Sequence, residues 1–170
     1  MKAAVVWSAG DPFDVTEVTR RSPGPTEVVV RLGAAGICQT DLTLAGGGFG
    51  QHFPAVLGHE GAGEVVEAGA AVTNVAPGDR VVITWVPPCG HCYHCVRGET
   101  YICANRKRAA DLDPDAADLR HGDTSVQAAM GTATFAEETI VPWNAVIPIP
   151  DDLPYEYAAI LGCAVPTGVG

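Results

Sequence analysis

The sequence predicts a mostly-β fold with a few short helices, a barrel or a sandwich. Short β-branched runs recur at close spacing, and clusters drawn from 20 glycines and 13 prolines separate them. No stretch keeps the 3.6-residue apolar period long enough to make a long helix.

In chain order, Lys2 to Trp7 reads as a strand, closed by a Gly10-Asp11-Pro12 turn. Val15 to Val18 makes a second strand, ended by Ser22-Pro23-Gly24-Pro25. Glu27 to Leu32 is β-branched and strongly strand-forming, while Gly33 to Gly36 is small and flexible. Asp41 to Ala45 reads as a helical turn before the glycine-rich loop Gly46 to Gly50. Glu64 to Glu67 and Arg80 to Trp85 read as strands, joined through the Pro77-Gly78-Asp79 turn. Asn105 to about Gly122 is acidic, alanine-rich and broken by Pro114, and reads as a surface excursion with some helix. Thr132 to Val141 and Ala145 to Ile149 return to strand, and Pro154 to Leu161 reads as a helix. Pro166 to Gly170 reads as a small-residue turn after which further structure is expected.

Apolar residues make up 47% of the chain and charged ones 18%, the balance of an ordinary globular protein. A formal charge of −10 argues against nucleic-acid and anionic-membrane partners. No apolar run approaches the ~20 residues of a membrane span, and Ala3 to Trp7 is too short for a secretory core. These features predict a cytoplasmic protein that keeps its thiols reduced.

The loudest local signal is Cys89-Gly-His-Cys92-Tyr-His-Cys95, followed by Cys103. A segment so poor in apolar side chains cannot bury a core of its own, so something else must hold it. Short Cys-x-x-Cys steps turn successive sulfurs toward one point, the shell of a tetrahedral zinc. Disulfides would need an oxidising compartment. The ferredoxin run ends in a three-residue gap and Cys-Pro, whereas here the last gap is seven residues and Ala104 follows. Four thiolates leave no open position, so this site is structural; His91 and His94 are bystanders. Arg106-Lys107-Arg108 either compensates the charge of the cluster or is a solvated surface run.

Cys38, His59 and Cys163 remain. Two thiolates and an imidazole make the open shell of a catalytic zinc. Spacing alone does not assemble them, because a lone cysteine is more often a small buried apolar group and a lone histidine an ordinary residue.

Larger motifs point further. Gly58-His59-Glu60-Gly61-Ala62-Gly63-Glu64-Val65-Val66, with Gly78-Asp79-Arg80-Val81, resembles the zinc signature of the medium-chain, zinc-dependent alcohol dehydrogenases. Cys38-Gln39-Thr40-Asp41, the four-cysteine loop and Leu161-Gly162-Cys163 through Thr167 are similar to that family's other metal segments. The resemblance spans nearly the whole chain, and is nearest to bacterial members with tightly bound nicotinamide cofactor. It implies a GroES-like β-barrel over residues 1–150, with a zinc lobe at about 86–108. Residues 151–170 would begin the connection to a nucleotide-binding domain.

The resemblance implies two zinc ions, one held by Cys38, His59 and Cys163 and one by Cys89, Cys92, Cys95 and Cys103. It implies NAD(P) in the full-length enzyme, a small alcohol or aldehyde substrate and a homo-oligomer. Asp41 would orient His59, Glu60 would approach the catalytic zinc from behind, and Thr40 would bond the substrate oxygen and start a proton relay. Trp85 would line the substrate pocket, Thr167 would lie near the nicotinamide, and Cys163 favours the alcohol/aldehyde branch over polyols.

Three departures matter. Gln39 stands where many relatives place a basic residue against the cofactor, and Thr43 where some place the histidine that ends the relay. No Gly-x-Gly-x-x-Gly opens a helix, so these residues hold the metals and almost none of the cofactor site. No turnover is therefore expected of the 170 residues alone. The rival readings are a thiol-adduct formaldehyde dehydrogenase and a non-catalytic zinc-binding module.

Overall fold

A computed structural model describes residues 1–105 and 117–170. The basic run Arg106 to Arg108 and Pro114 lie outside the described residues. The strands, in chain order, are β1 (Lys2–Val6), β2 (Asp14–Glu17), β3 (Thr19–Arg20), β4 (Glu27–Gly36), β5 (Ala55–Val56), β6 (Glu60–Ala68), β7 (Arg80–Ile83), β8 (Leu119–His121), β9 (Thr124–Ala128), β10 (Glu138–Pro142) and β11 (Val146–Pro148). Three short helices accompany them, α1 (Gln39–Ala45), α2 (Tyr155–Ile160) and α3 (Ala164–Val169).

The strands form two sheets, ordered β2-β1-β5-β9-β8-β3 and β10-β4-β6-β7-β11. Ladders are antiparallel except for the parallel pair β5–β9. The expectation of a mostly-β, barrel-like fold holds.

β4 explains the second sheet. Val28, Val29 and Val30 have no exposed surface, so this β-branched run is buried on both faces between β10 and β6. Each such side chain contributes about 1.5–3 kcal/mol of burial. Val28 and Val30 share their cluster with Val65, Val81, Ile83 and Val146. A second cluster joins Val5, Val18, Val56, Leu119 and Val126 in the other sheet.

Four expectations are corrected. Gly33 to Gly36 is strand rather than flexible linker, because β6 pairs with β4 as far as Gly36. Leu119 to His121, expected within a partly helical excursion, is β8, whose Leu119 is buried against the first sheet. Thr132 to Glu137 is not strand: Ala133 adopts φ 44 and the backbone turns before β10 starts at Glu138. The stretch after Cys163 is helical rather than a turn.

Residues after Pro150 are tied back to the second sheet. The Arg80 guanidinium donates to the Asp151 and Leu153 carbonyls and lies 4.2 Å over the Tyr155 ring. A side chain at Gly33 would collide with that ring, so glycine there lets α2 approach β4. Ala158 and Ala159 then pack on Ala62 of β6. This docking sets where Cys163 falls.

Candidate active site

Cys38 leaves the end of β4 and stands immediately before α1, with extended φ/ψ of −109° and 155°. Asp41, in the first turn of α1, reaches back to accept from the Cys38 backbone N–H at 3.0 Å. The same carboxylate accepts from the Gly58 N–H at 3.2 Å and lies 3.0 Å from His59 Nδ1. Asp41 and His59 are buried. A carboxylate has no proton to give, so Nδ1 carries the hydrogen and Nε2 keeps its lone pair free for a metal.

Gly58 delivers His59 at a φ of +92°, a conformation other residues resist. Its carbonyl accepts from Thr134 N–H at 3.0 Å and from the Thr132 hydroxyl at 2.9 Å. Glu60 starts β6 opposite Gly36, where any side chain would overlap its carboxyl group. Cys163 arrives from the other end of the chain, between α2 and α3.

Ligand atoms of Cys38, His59, Glu60 and Cys163 all lie within 4.8 Å of one another. Three elements distant in sequence thus meet at one point. The groups perturb each other. Burial pushes the Cys38 thiol up, but the Thr40 N–H and hydroxyl and then His59 outweigh it and leave it below its ordinary value. Burial opposes protonation of His59, yet the Asp41 hydrogen bond and charge raise it. Burial, then the charge of Cys38, pushes Cys163 up to about 11. A divalent cation relieves this competition, because it favours both sulfurs as thiolates and the imidazole as neutral ligand.

The sulfurs of Cys89, Cys92, Cys95 and Cys103 also lie within 4.8 Å of one another. Cys89 and Cys95 are 3.9 Å apart and Cys92 and Cys103 4.0 Å. A tetrahedral zinc with bonds of ~2.3 Å needs sulfurs roughly 3.8 Å apart, so the donor set fits. Backbone N–H groups of Cys95 and Ala104 draw the Cys92 thiol down to about 6, while burial pushes Cys95 up to about 12. His91 and His94 are not members of this group.

Residues 24–151 match the model of the alcohol dehydrogenase GroES-like domain. The chain belongs to that family. It is 41% identical over 170 residues to putative alcohol dehydrogenase D of Mycobacterium tuberculosis, covering 99% of this chain and 46% of that protein. It is 39% identical to the S-(hydroxymethyl)glutathione dehydrogenase of Paracoccus denitrificans, with the same coverage. An alcohol dehydrogenase zinc-binding domain protein from Burkholderia ambifaria superposes with a TM-score of 0.91 at 35% identity, over 98% of this chain and 46% of that one. The chain spans about half the length of the curated relatives it matches.

Within this GroES-like domain the other expected site residues take particular places. Trp85 stands edge-on to His59, ring centroids 6.1 Å apart. It lines a groove of about 500 Å³ with Val82, Leu161, Cys163 and Thr167. Thr40 and Thr167 turn their hydroxyls toward the sulfurs of Cys38 and Cys163 respectively. Thr43 returns its hydroxyl to the Gln39 carbonyl at 3.1 Å. Sequence reasoning missed Thr132 and Thr134, which hold the Gly58 and Glu60 carbonyls. It also missed Met130, which lines a hollow with Trp85 and Thr132. Isolated threonines in a stretch read as strand gave no signal, and neither did a lone methionine.

Proposed function

We propose that this chain is the catalytic domain of a zinc-dependent alcohol dehydrogenase that interconverts alcohols with aldehydes or ketones using NAD(P). The observation that carries the reading is the convergence of Cys38, His59 and Cys163 with Asp41 behind the imidazole. A purely structural module has no need of that second cluster.

Cys38, His59 and Cys163 would hold one zinc, and Cys89, Cys92, Cys95 and Cys103 the other. Bound at the first site, zinc supplies a Lewis acid for the substrate oxygen, and NAD(P) supplies the two-electron acceptor. Asp41 keeps His59 in the tautomer that presents Nε2. Glu60, whose carboxyl oxygen shares the cluster, would assist ligand exchange at that metal. Thr40 holds its hydroxyl beside the Cys38 sulfur and would take the substrate proton. Trp85 covers one side of the imidazole and excludes water there. Thr167 flanks Cys163 on the exposed side, where the nicotinamide would lie.

Residues 1–150 form the domain itself in this reading, and 151–170 start the connection to a nucleotide-binding half. The length of the relatives supports that half, as do the exposed apolar side chains Ile37 and Val165, next to and two residues from the ligands Cys38 and Cys163. The full enzyme would be a homo-oligomer acting on a small alcohol or aldehyde. Cytoplasmic residence accords with six free thiols. No helix among the described residues is long and apolar enough to cross a membrane. The similarity to an S-(hydroxymethyl)glutathione dehydrogenase favours a second reading, in which the substrate is a hydroxymethyl-thiol adduct.

Metal counting tests the proposal. The purified chain should carry two zinc ions, and Cys163→Ser should lose one while keeping the other. A single zinc held only by the cysteine loop would sink the catalytic reading in favour of the module.

A further inference from the structure

His91 was expected to stand by while four thiols did the binding. Its surroundings give it work. His91 Nδ1 lies 2.8 Å from the Cys89 carbonyl oxygen. A carbonyl only accepts, so Nδ1 must carry the ring hydrogen, and Nε2 of the neutral ring is left as an acceptor. Asn105 Nδ2 lies 3.3 Å from that Nε2 and donates to Cys89 Sγ at 3.4 Å. The two amide hydrogens of Asn105 are thus both spoken for, one by the imidazole and one by the sulfur. The amide cannot be turned round, because its oxygen would then face two acceptors.

We propose that His91 and Asn105 form a closed hydrogen-bonded brace that positions Cys89 Sγ for the cysteine-loop metal. Cys89 is the first sulfur of the loop, and Asn105 lies two residues beyond Cys103, the last. The brace therefore ties the two ends of the loop together across the ligand set. A hydrogen bond donated to a metal-bound thiolate disperses its charge and fixes its direction, the usual work of residues just outside a metal's ligands. The His91 imidazole acts through Asn105, while the His91 backbone N–H reaches the Cys89 sulfur directly and is kept in every His91 variant. Both side chains are exposed, so replacing them opens no cavity and leaves the barrel folded.

The inference rests on the reading of Cys89, Cys92, Cys95 and Cys103 as a zinc site, and its test separates the two. The Cys163→Ser chain, in which only the loop site remains, is loaded with zinc, and release to a chromophoric chelator is timed. The same variants are loaded with cobalt, and the sulfur-to-cobalt charge-transfer band is recorded. Asn105→Ala and His91→Ala should each speed release about tenfold and shift the cobalt band. Because they act as one unit, the double variant should be no faster than either single one. Asn105→Asp, which points a charged acceptor at the sulfur, should release faster than Asn105→Ala. His91→Gln, which keeps a donor and an acceptor, should stay near the parent rate. Release within twofold of the parent, or losses that simply add, would overturn the brace. A chain whose cysteine loop takes up neither metal would overturn the zinc reading, and the brace with it.

Discussion

Asp41 is a residue with no exposed surface whose two oxygens accept from Cys38 N–H, Gly58 N–H and His59 Nδ1. Asp41→Ala would strand those donors, each at a cost of about 1–3 kcal/mol. The expected result is a 10- to 100-fold weaker zinc at the Cys38–His59–Cys163 site, with the loop zinc unchanged, measured by chelator competition. Glu27 supports a different prediction. Hydrogen bonds from Arg21, with help from the Gly24 N–H, outweigh burial and hold its carboxyl below the ordinary 4.5. A folded-state pKa below the unfolded one means stability that is complete above 4.5 and is lost as pH falls through the folded value. Asp118, raised chiefly by burial, contributes with the opposite sign. Between about pH 6 and about pH 3, Glu27→Gln should therefore lose less stability than the parent in urea titrations.

Among the elements, the loop from Cys89 to Cys103 and strand β6 show two ways of holding a backbone. The loop has short helical turns at Cys95–Arg97 and Thr100–Ile102, while Tyr93, Val96 and Tyr101 are exposed. With so little buried apolar surface, the proposed zinc would supply much of its stability. Chelation should raise hydrogen exchange of amides 89–105 to near-unprotected rates while β4 and β6 stay protected. β6 instead relies on close approach. A side chain at Gly63 would overlap the Arg31 carbonyl in β4, and one at Gly58 would strike Thr134 and Phe135 from a left-handed backbone. Gly63→Ala should destabilise the chain by about 1–3 kcal/mol, read as a lower denaturation midpoint at unchanged slope.

For the molecule as a whole, the proposed hydride transfer would need a bound nicotinamide, and these 170 residues contain no Gly-x-Gly-x-x-Gly loop opening a helix. The 170 residues by themselves should show no NAD-dependent alcohol oxidation, and a measurable rate above a zinc-free control would contradict this. Much of the molecule was legible beforehand. β4 and β7 announced themselves because buried β-branched runs have few other structures to adopt. The cysteine loop did so because its spacing is set by ligand geometry within one short segment. β8 and α3 were not legible: three residues of mixed polarity, and a helix containing Pro166 and Gly168, carry no periodic signal. β8 takes its structure from the strands it pairs with, β3 and β9, and from burial of Leu119.

The sequence by itself determined the strand-rich character, the four-sulfur loop and, through its motifs, the family. Those features are local, and short-range spacing and side-chain branching suffice to specify them. Only the tertiary structure decided that Cys38, His59 and Cys163 share one point with Glu60 among them. That meeting depends on the Asp41 carboxylate tying α1 to the Gly58 turn, and on Arg80 and Tyr155 seating α2 on the second sheet. Such contacts join residues far apart in the chain, and no local spacing encodes them.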